Sequence, residues 1–286
     1  IISADSMQVY RKMDIGTAKI MLEEMDGIPH HLIDVLDPKE PFNVVLFKEL
    51  ATKAMDGIYA RGRIPVIVGG TGFYIQAVLY DIHFDENDDD KSYRTYLEQL
   101  AEKHGNLYLH QMLEKVDPAS AAAIHYNNRK RVIRALEFYK ETGIPISEHN
   151  EKESKRISPY NFEYFVLNDA RSKLYDRIDR RIDIMVEQGL IEEVKALKDQ
   201  GYTKDLISMQ GLGYKEILDY LDGVTSLDEA LYILKRDTRH FAKRQITWFK
   251  REKEVTWVDQ GNFDFDREKI LAWMLKDLQD RGIVIK

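Results

Sequence analysis

Two apolar periods divide this chain, and together they predict an α/β core interrupted by a helical stretch. Ile1 and Ile2 form the stub of an apolar strand, and Ile-Pro-Val-Ile-Val at 64–68 is a continuous apolar run, the kind buried on both faces of a parallel sheet. Between them Val44, Phe47, Leu50, Ala51, Ala54 and Ile58 recur at helical spacing, which predicts a helix over 43–61 that stops at Gly62. Residues 29–41 read as an irregular, proline-punctuated stretch with a short strand. Gly69-Gly70-Thr71-Gly72 follows the second strand, and Phe73 to Leu79 continues as an apolar helix.

Near Asp81 the alternation of strand and helix stops. Residues 92–115 and 118–141 both carry helical spacing, and 143–160, with Pro145, Pro159 and many charges, read as a mobile connector. A short aromatic strand over 162–167 returns the chain to the sheet. Helices are expected over 172–189, 190–200 and 226–250, with another opening at 208–214, then a last strand over 255–258 and a helix over 266–281. The expected fold is therefore α/β, a parallel-sheet core with a helical insertion and a helical C-terminal part. The core takes 1–84 and 161–286, and the insertion takes 85–160.

Composition changes this picture only in part. At 286 residues, 44% apolar and 32% charged, the chain is long enough for one α/β domain with an insertion. Cysteine is absent, which removes disulfides and thiolate chemistry and fits a reducing compartment. Neither an apolar run of about 18 residues nor a signal-peptide pattern occurs, so a cytoplasmic protein without a membrane span is expected. The chain begins with Ile inside an apparent strand, so an upstream segment is expected as well.

The net charge of −7 is unevenly spread. Asp85, Glu86, Asp88, Asp89 and Asp90 cluster in one place, whereas Lys235 to Lys253 holds eight Lys and Arg against Asp237 and Glu252. Screening limits the reach of charges to about 8 Å at physiological salt, so a local basic face can bind phosphates on an acidic protein.

Candidate chemistry begins at Asp5, placed where the first strand opens into a loop. That edge of a parallel sheet is where ligands bind, but Asp5 or Ser6 also suits the cap of a helix over 6–11. The glycine turn suits an anion, since strand, turn and helix present backbone N–H groups, yet it equally suits a tight connection capped by Thr71. No Walker A sequence occurs. Arg177 and Arg181 lie four apart on one helix face, suited to phosphate oxygens, with Asp176, Asp179 and Asp183 available to neutralise them. Arg129, Lys130, Arg131 and Arg134 make a basic stripe that also fits a solvated face. His30 and His31 lack metal-site spacing and read as structural.

The motifs D-S-M-Q-V-Y (Asp5 to Tyr10), M-D-I-G-T-A-K (Met13 to Lys19), H-H-L-I-D (His30 to Asp34), V-G-G-T-G-F-Y (Val68 to Tyr74), S-M-Q-G-L-G-Y-K-E (Ser208 to Glu216) and A-K-R-Q-I-T-W-F (Ala242 to Phe249) occur in this order. Together they closely resemble the bacterial tRNA dimethylallyltransferases, or tRNA isopentenyltransferases, over essentially the whole chain. The resemblance implies a P-loop NTPase-like, nucleotide-binding core. It implies transfer of a dimethylallyl group from dimethylallyl diphosphate to N6 of the adenosine 3′ of the anticodon (position 37) in tRNAs reading U-initial codons, with Mg²⁺ assisting the diphosphate. The target base would be flipped out of the loop to expose its edge.

Carried over by motif, Asp5 would be the general base at N6. Thr71 would bond the oxygen that bridges diphosphate and prenyl carbon, and Arg181 would clamp the diphosphate. Asp5, Ser6, Met7 and Gln8, with Thr71, would contact the tRNA, as would Arg94 and the segment Lys130, Arg131, Val132, Ile133 and Arg134. The basic helix ending at Lys253 would grip the anticodon stem. The family also has a G-x-T-x-x-G-K-[ST] loop about 25 residues before the D-S-M-Q motif, whose lysine and hydroxyl residue would hold diphosphate and metal. No metal ligands are identifiable in this chain, and a monomer is the default. A chain lacking that loop is expected to be a non-catalytic RNA-binding module. A head-to-tail prenyl synthase, suggested by Asp85-Glu86-Asn87-Asp88-Asp89, is the further alternative. It is all-helical with two acidic motifs, and this chain has glycine turns after strands and one acidic cluster.

Overall fold

Short polar side chains start the helices by accepting the free N–H groups of the first turn. Asn43 Oδ1 accepts from Val45 and Leu46, Asp117 from Ser120, Ser226 from Glu229, and Asp266 from Glu268 and Lys269. The computed structural model describes residues 1–84 and 92–283. The acidic cluster at 85–90 therefore lies outside the described residues.

In chain order the elements are β1 (Ile2–Ser3), α1 (Val44–Ala60), β2 (Ile67–Val68), α2 (Gly72–Leu79), α3 (Ser92–His104), α4 (Asn106–Val116), α5 (Pro118–Ala123), α6 (Arg129–Thr142) and α7 (Ile146–Ser154). They continue with β3 (Tyr164–Asn168), α8 (Arg171–Glu187), α9 (Leu190–Asp199), α10 (Tyr214–Leu221), α11 (Leu227–Phe249), β4 (Val255–Asp259) and α12 (Arg267–Asp280). The chain divides into two units, one formed by residues 1–79 with those from 160 onward, the other by Tyr80–Pro159.

The first unit is an α/β unit with two small parallel sheets. Strand β1 pairs with β2 in the register Ile2↔Ile67 and Ser3↔Val68, and β3 pairs with β4 from Tyr164↔Val255 to Asn168↔Asp259. The proline-rich stretch adds only single parallel bridges, Ile2↔His31 and Tyr10↔Leu36. Helix α1 buries Phe47, Ala51, Met55 and Ile58. Phe47 stacks on Tyr74 at 4.6 Å, while Phe42 meets both rings edge-on. One expectation fails here. The run at 64–68 is not buried on both faces: only Ile67 and Val68 are strand, and Val66 and Val68 are 53% and 54% exposed. The reason is that β2 pairs on one side only, with β1, among the described residues.

Among the described residues, the regular structure of the second unit is all helix. Its core joins Leu97 and Ala101 of α3, Leu109 and Leu113 of α4, Ala121 of α5, and Val132, Ile133, Ala135 and Leu136 of α6. Gly105, at φ 85°, separates α3 from α4, since a left-handed backbone there ends the first helix. The expected connector over 143–160 instead contains α7. Asp117 docks it, because the carboxylate that caps α5 also accepts from the Ser147 N–H at 3.0 Å and the Ser147 hydroxyl at 2.6 Å.

Candidate functional site

Asp5 stands directly beyond β1, and its side chain shapes the loop that follows. Oδ1 accepts from the N–H groups of Met7 (2.7 Å) and Gln8 (3.2 Å). The cap anticipated for a helix over 6–11 thus closes a turn, since no helix forms there. Burial pushes the Asp5 carboxyl above its ordinary value, while the two N–H donors and then the Arg181 charge pull against that rise. Beneath the loop the Tyr74 hydroxyl is pushed up to about 12, mainly by burial and further by Tyr10 and Asp5. The Gln8 amide is held internally: Oε1 accepts from Ser3 Oγ, and Nε2 donates to the carbonyls of Thr17 and Ala18. Met7 lies against Gly211, where an added Cβ would fall 2.5 Å from Met7 Cε. Ser6 is half-buried beside them.

The glycine turn is packed from two sides. A Cβ on Gly69 would lie 2.4 Å from the Ala4 backbone, one on Gly70 2.1 Å from Gln245 Nε2, and one on Gly72 2.2 Å from Trp248 Cδ1. None of the three has a positive φ, so close approach rather than backbone conformation requires glycine here. Thr71 donates its N–H to Ala4 O at 3.2 Å, and its own carbonyl accepts from Tyr74 as α2 begins. Asp5 and Thr71 are therefore joined through one residue, Ala4.

The two arginines of α8 have different fates. Arg177 pairs with Asp169 at 3.2 Å. Asp179 and Asp183, available in the sequence to neutralise their own helix, are instead taken by α11: Arg239 bonds both oxygens of Asp179 at 2.6 and 2.8 Å, and Lys235 bonds Asp183 at 2.5 Å. Arg181 is exposed, makes no hydrogen bond or ion pair among the described residues, and acts electrostatically on Asp5.

Other motifs brace this loop. Lys19 is buried and donates to Tyr10 O, Asp14 Oδ1 and Asp34 Oδ1 at 2.6–2.7 Å, tying the M-D-I-G-T-A-K and H-H-L-I-D segments together. Glu193 accepts from the backbone N–H groups of Asp14, Ile15 and Gly16 and from the Tyr214 hydroxyl. Sequence reasoning missed Glu193 and Gln245 as individual residues. Gln245 had a signal only as a letter of A-K-R-Q-I-T-W-F.

Outside the glycine turn, α11 turns His240, Lys243, Arg244, Thr247 and Trp248, with Arg251, toward an open cavity of about 390 Å³. In the helical unit a second cavity, about 500 Å³, is lined by Arg94, Glu98, Asn127, Asn128, Arg129, Lys130 and Ile133. Arg94 forms a fork with Glu137, at 2.8 and 2.6 Å. Lys130 and Arg131 are exposed and Arg134 half-buried, whereas Val132 and Ile133 are 0% and 3% exposed and belong to the core. Val132 lies away from the cavity that Lys130 lines, whereas Ile133 also reaches that cavity. Among the described residues no group of three or more His, Asp or Glu is placed to hold a metal ion, and no helix is long and apolar enough to cross a membrane.

The comparisons with known proteins bear on the whole chain. A tRNA dimethylallyltransferase of Lachnoclostridium phytofermentans is 57% identical over 284 residues, covering 99% of this chain and 90% of the relative. One of Acetivibrio thermocellus is 52% identical over 285 residues, covering 100% and 91%. The crystal structure of a tRNA isopentenylpyrophosphate transferase from Bacillus halodurans aligns with a TM-score of 0.71 at 49% identity, over 98% of this chain and 88% of that one. A eukaryotic dimethylallyltransferase acting on tRNA aligns at 0.79 and 29% identity, over 100% and 74%. The sequence pattern of the family described as IPP transferase matches residues 8–252, a span that begins at Gln8 and takes in the glycine turn, the α8 arginines and α11. The chain belongs to the IPP transferase family.

Proposed function

We propose that this protein transfers the dimethylallyl group of dimethylallyl diphosphate to tRNA, at N6 of the adenosine 3′ of the anticodon in tRNAs that read U-initial codons. Its relatives' shared activity supports the transfer. The observation that carries the assignment of roles is that a half-buried carboxylate, Asp5, and a residue of the glycine turn, Thr71, are joined through Ala4 beyond β1, while Arg181, which makes no ion pair among the described residues, acts by its charge on Asp5.

An exocyclic amine is a weak nucleophile because its lone pair is shared with the ring. In the proposed reaction N6 bonds to C1 of the dimethylallyl group, the C1–O bond breaks, and its electron pair leaves on diphosphate. Asp5 takes the proton that N6 loses. Thr71 donates to the bridging oxygen as charge develops there, and Arg181 neutralises the departing diphosphate.

RNA contacts are assigned to Asp5, Ser6, Met7, Gln8 and Thr71, to the basic face of α11, and to Arg94 and the Lys130 to Arg134 segment. Phosphate contacts orient the RNA, and unstacked loop bases supply sequence recognition. Because Val132 and Ile133 are core residues, their part in this segment is to hold its helix.

The core is proposed to be P-loop NTPase-like. The parallel pairing of β1 with β2 and the glycine turn that leads from β2 into α2 support this reading. Magnesium belongs to the proposal as a companion of the diphosphate, on which it neutralises charge when bound. It keeps several waters and needs only one or two protein ligands. Among the described residues there is no cluster of three or more His, Asp or Glu to cage it.

The test is to incubate the whole natural protein with dimethylallyl diphosphate, Mg²⁺ and an anticodon stem-loop bearing the target adenosine, and to digest the RNA for nucleoside mass analysis. N6-dimethylallyladenosine is expected, and an RNA with the target adenosine replaced should give none. RNA binding without product would favour an RNA-binding module. A free farnesyl product from isopentenyl and dimethylallyl diphosphates without RNA would favour the prenyl synthase reading.

A further inference from the structure

We infer that Gln245 is a positioning residue for the reaction: its side-chain amide holds the Gly70–Thr71 peptide, and so sets where Thr71 presents its hydroxyl. This inference rests on the role proposed for Thr71.

The Gly70–Thr71 peptide is gripped at both ends. Its carbonyl, Gly70 O, accepts from Gln245 Nε2 at 3.0 Å, and its N–H, on Thr71, donates to Ala4 O at 3.2 Å. In a trans peptide these groups point in opposite directions, so this single plane spans from α11 on one side to the residue before Asp5 on the other. With both ends fixed, the plane has little freedom to rotate, and Thr71 Cα and its side chain follow it. The absence of a side chain at Gly70 is what admits the amide, since a Cβ would sit 2.1 Å from Gln245 Nε2.

The helix that carries Gln245 is itself tied to the helix that carries Arg181. Arg239–Asp179 and Lys235–Asp183 join α11 to α8, flanking Arg181 on α8. One helix thereby sets the placement of both groups assigned to the diphosphate. Gln245 is half-buried and absent from the α11 residues that line the outer basic cavity, so its assignment is separable from RNA contact.

Two variants of the whole protein test this. Gln245→Leu keeps the side chain's bulk and removes the donor. Gly70→Ala pushes the flexible amide end aside from the opposite direction while leaving α11 unaltered. Each is expected to lower kcat/KM for dimethylallyl diphosphate by about tenfold or more, because small misplacements of a reacting group are costly. Affinity for the anticodon stem-loop and the unfolding temperature should stay near wild type. If RNA affinity falls while the diphosphate parameters hold, Gln245 is an RNA contact and the inference is overturned. Unchanged parameters in both variants overturn it too. Should Gln245→Leu fail to fold, Gly70→Ala decides. Should wild type bind dimethylallyl diphosphate but transfer nothing, the prenyl-transfer reading fails by itself, and calorimetric titration of the diphosphate into both variants still judges Gln245: equal binding refutes it.

Discussion

Gly16 and Tyr214 are in direct van der Waals contact across nearly two hundred residues of sequence. A Cβ on Gly16 would lie 2.6 Å from the Tyr214 ring, and the Tyr214 hydroxyl donates to Glu193 at 2.7 Å, the same carboxylate that accepts the Gly16 N–H at 3.1 Å. The glycine, the tyrosine and the glutamate thus form one lock that fastens the M-D-I-G-T-A-K loop to α9 and α10.

Gly16→Ala should therefore destabilise the first unit by about 1–3 kcal/mol, the usual cost of forcing a group into a packed site. Tyr214→Phe keeps the packing and loses one hydrogen bond, so about 1 kcal/mol is expected. Urea denaturation of both variants checks the order, and a Gly16→Ala protein as stable as wild type would show that the contact relaxes freely.

Lys19 has all three of its donors in use and a side chain only 1% exposed. Lys19→Met should cost roughly 2–3 kcal/mol, toward the lower end for a broken buried pair because Asp14 and Asp34 retain contact with water. Asp34→Asn should cost clearly less, since one carboxylate remains. Equal losses in the two variants, measured by the same denaturation, would contradict this ranking.

The raised carboxyl of Asp5 sets a pH dependence. The folded protein keeps the Asp5 proton at pH values where the unfolded chain, near the ordinary ~3.9, has released it. Stability from this group is thus present at low pH and lost as pH rises through the raised folded value. Activity runs the other way, because a general base must be ionised. The acid limb of kcat/KM should lie above the ordinary carboxylate range, and Asp5→Asn should remove nearly all turnover with RNA binding retained. Arg181→Gln, which withdraws a charge that lowers the Asp5 value, should shift that limb to higher pH besides weakening turnover. A limb that stays in place would deny the coupling between the two residues.

In the helical unit, Lys130 and Arg131 are exposed while Arg94 is engaged by Glu137. Lys130→Ala combined with Arg131→Ala should weaken binding of the anticodon stem-loop and reduce the salt slope of log K by about 1–2. Val132→Ala, by contrast, should destabilise the unit by about 1–2 kcal/mol and leave the slope alone. A salt slope unmoved by the double variant would take this helix out of the RNA contact.

Much of the fold was legible in the residues. The helices over 43–61, 226–250 and 266–281 were legible in the sequence, and in the structure each starts at a side chain, Asn43, Ser226 or Asp266, that caps it through a hydrogen bond to residues two or three further on. Asp5 was legible as a carboxylate at a strand end, and in the structure the oxygen that closes the turn after it, where no helix forms, belongs to the carboxylate that Arg181 influences. The helix α7 was not legible, since Pro145, Pro159 and dense charge outweigh a local signal, and it is the Asp117 carboxylate about thirty residues away that holds its start.

By itself the sequence determined the alternation of strand and helix, the family motifs and their order, because these depend on side-chain periodicity and on residue identity. Tertiary structure alone decided how the charges were shared. It assigned Asp179 and Asp183 to α11 and left Arg181 without a partner among the described residues, and it made Gly69, Gly70 and Gly72 into contact points for Ala4, Gln245 and Trp248. The physical reason is range: a cap or a period acts over a few residues, whereas an ion pair or a close backbone approach depends on which distant segment the fold brings within about 3 Å.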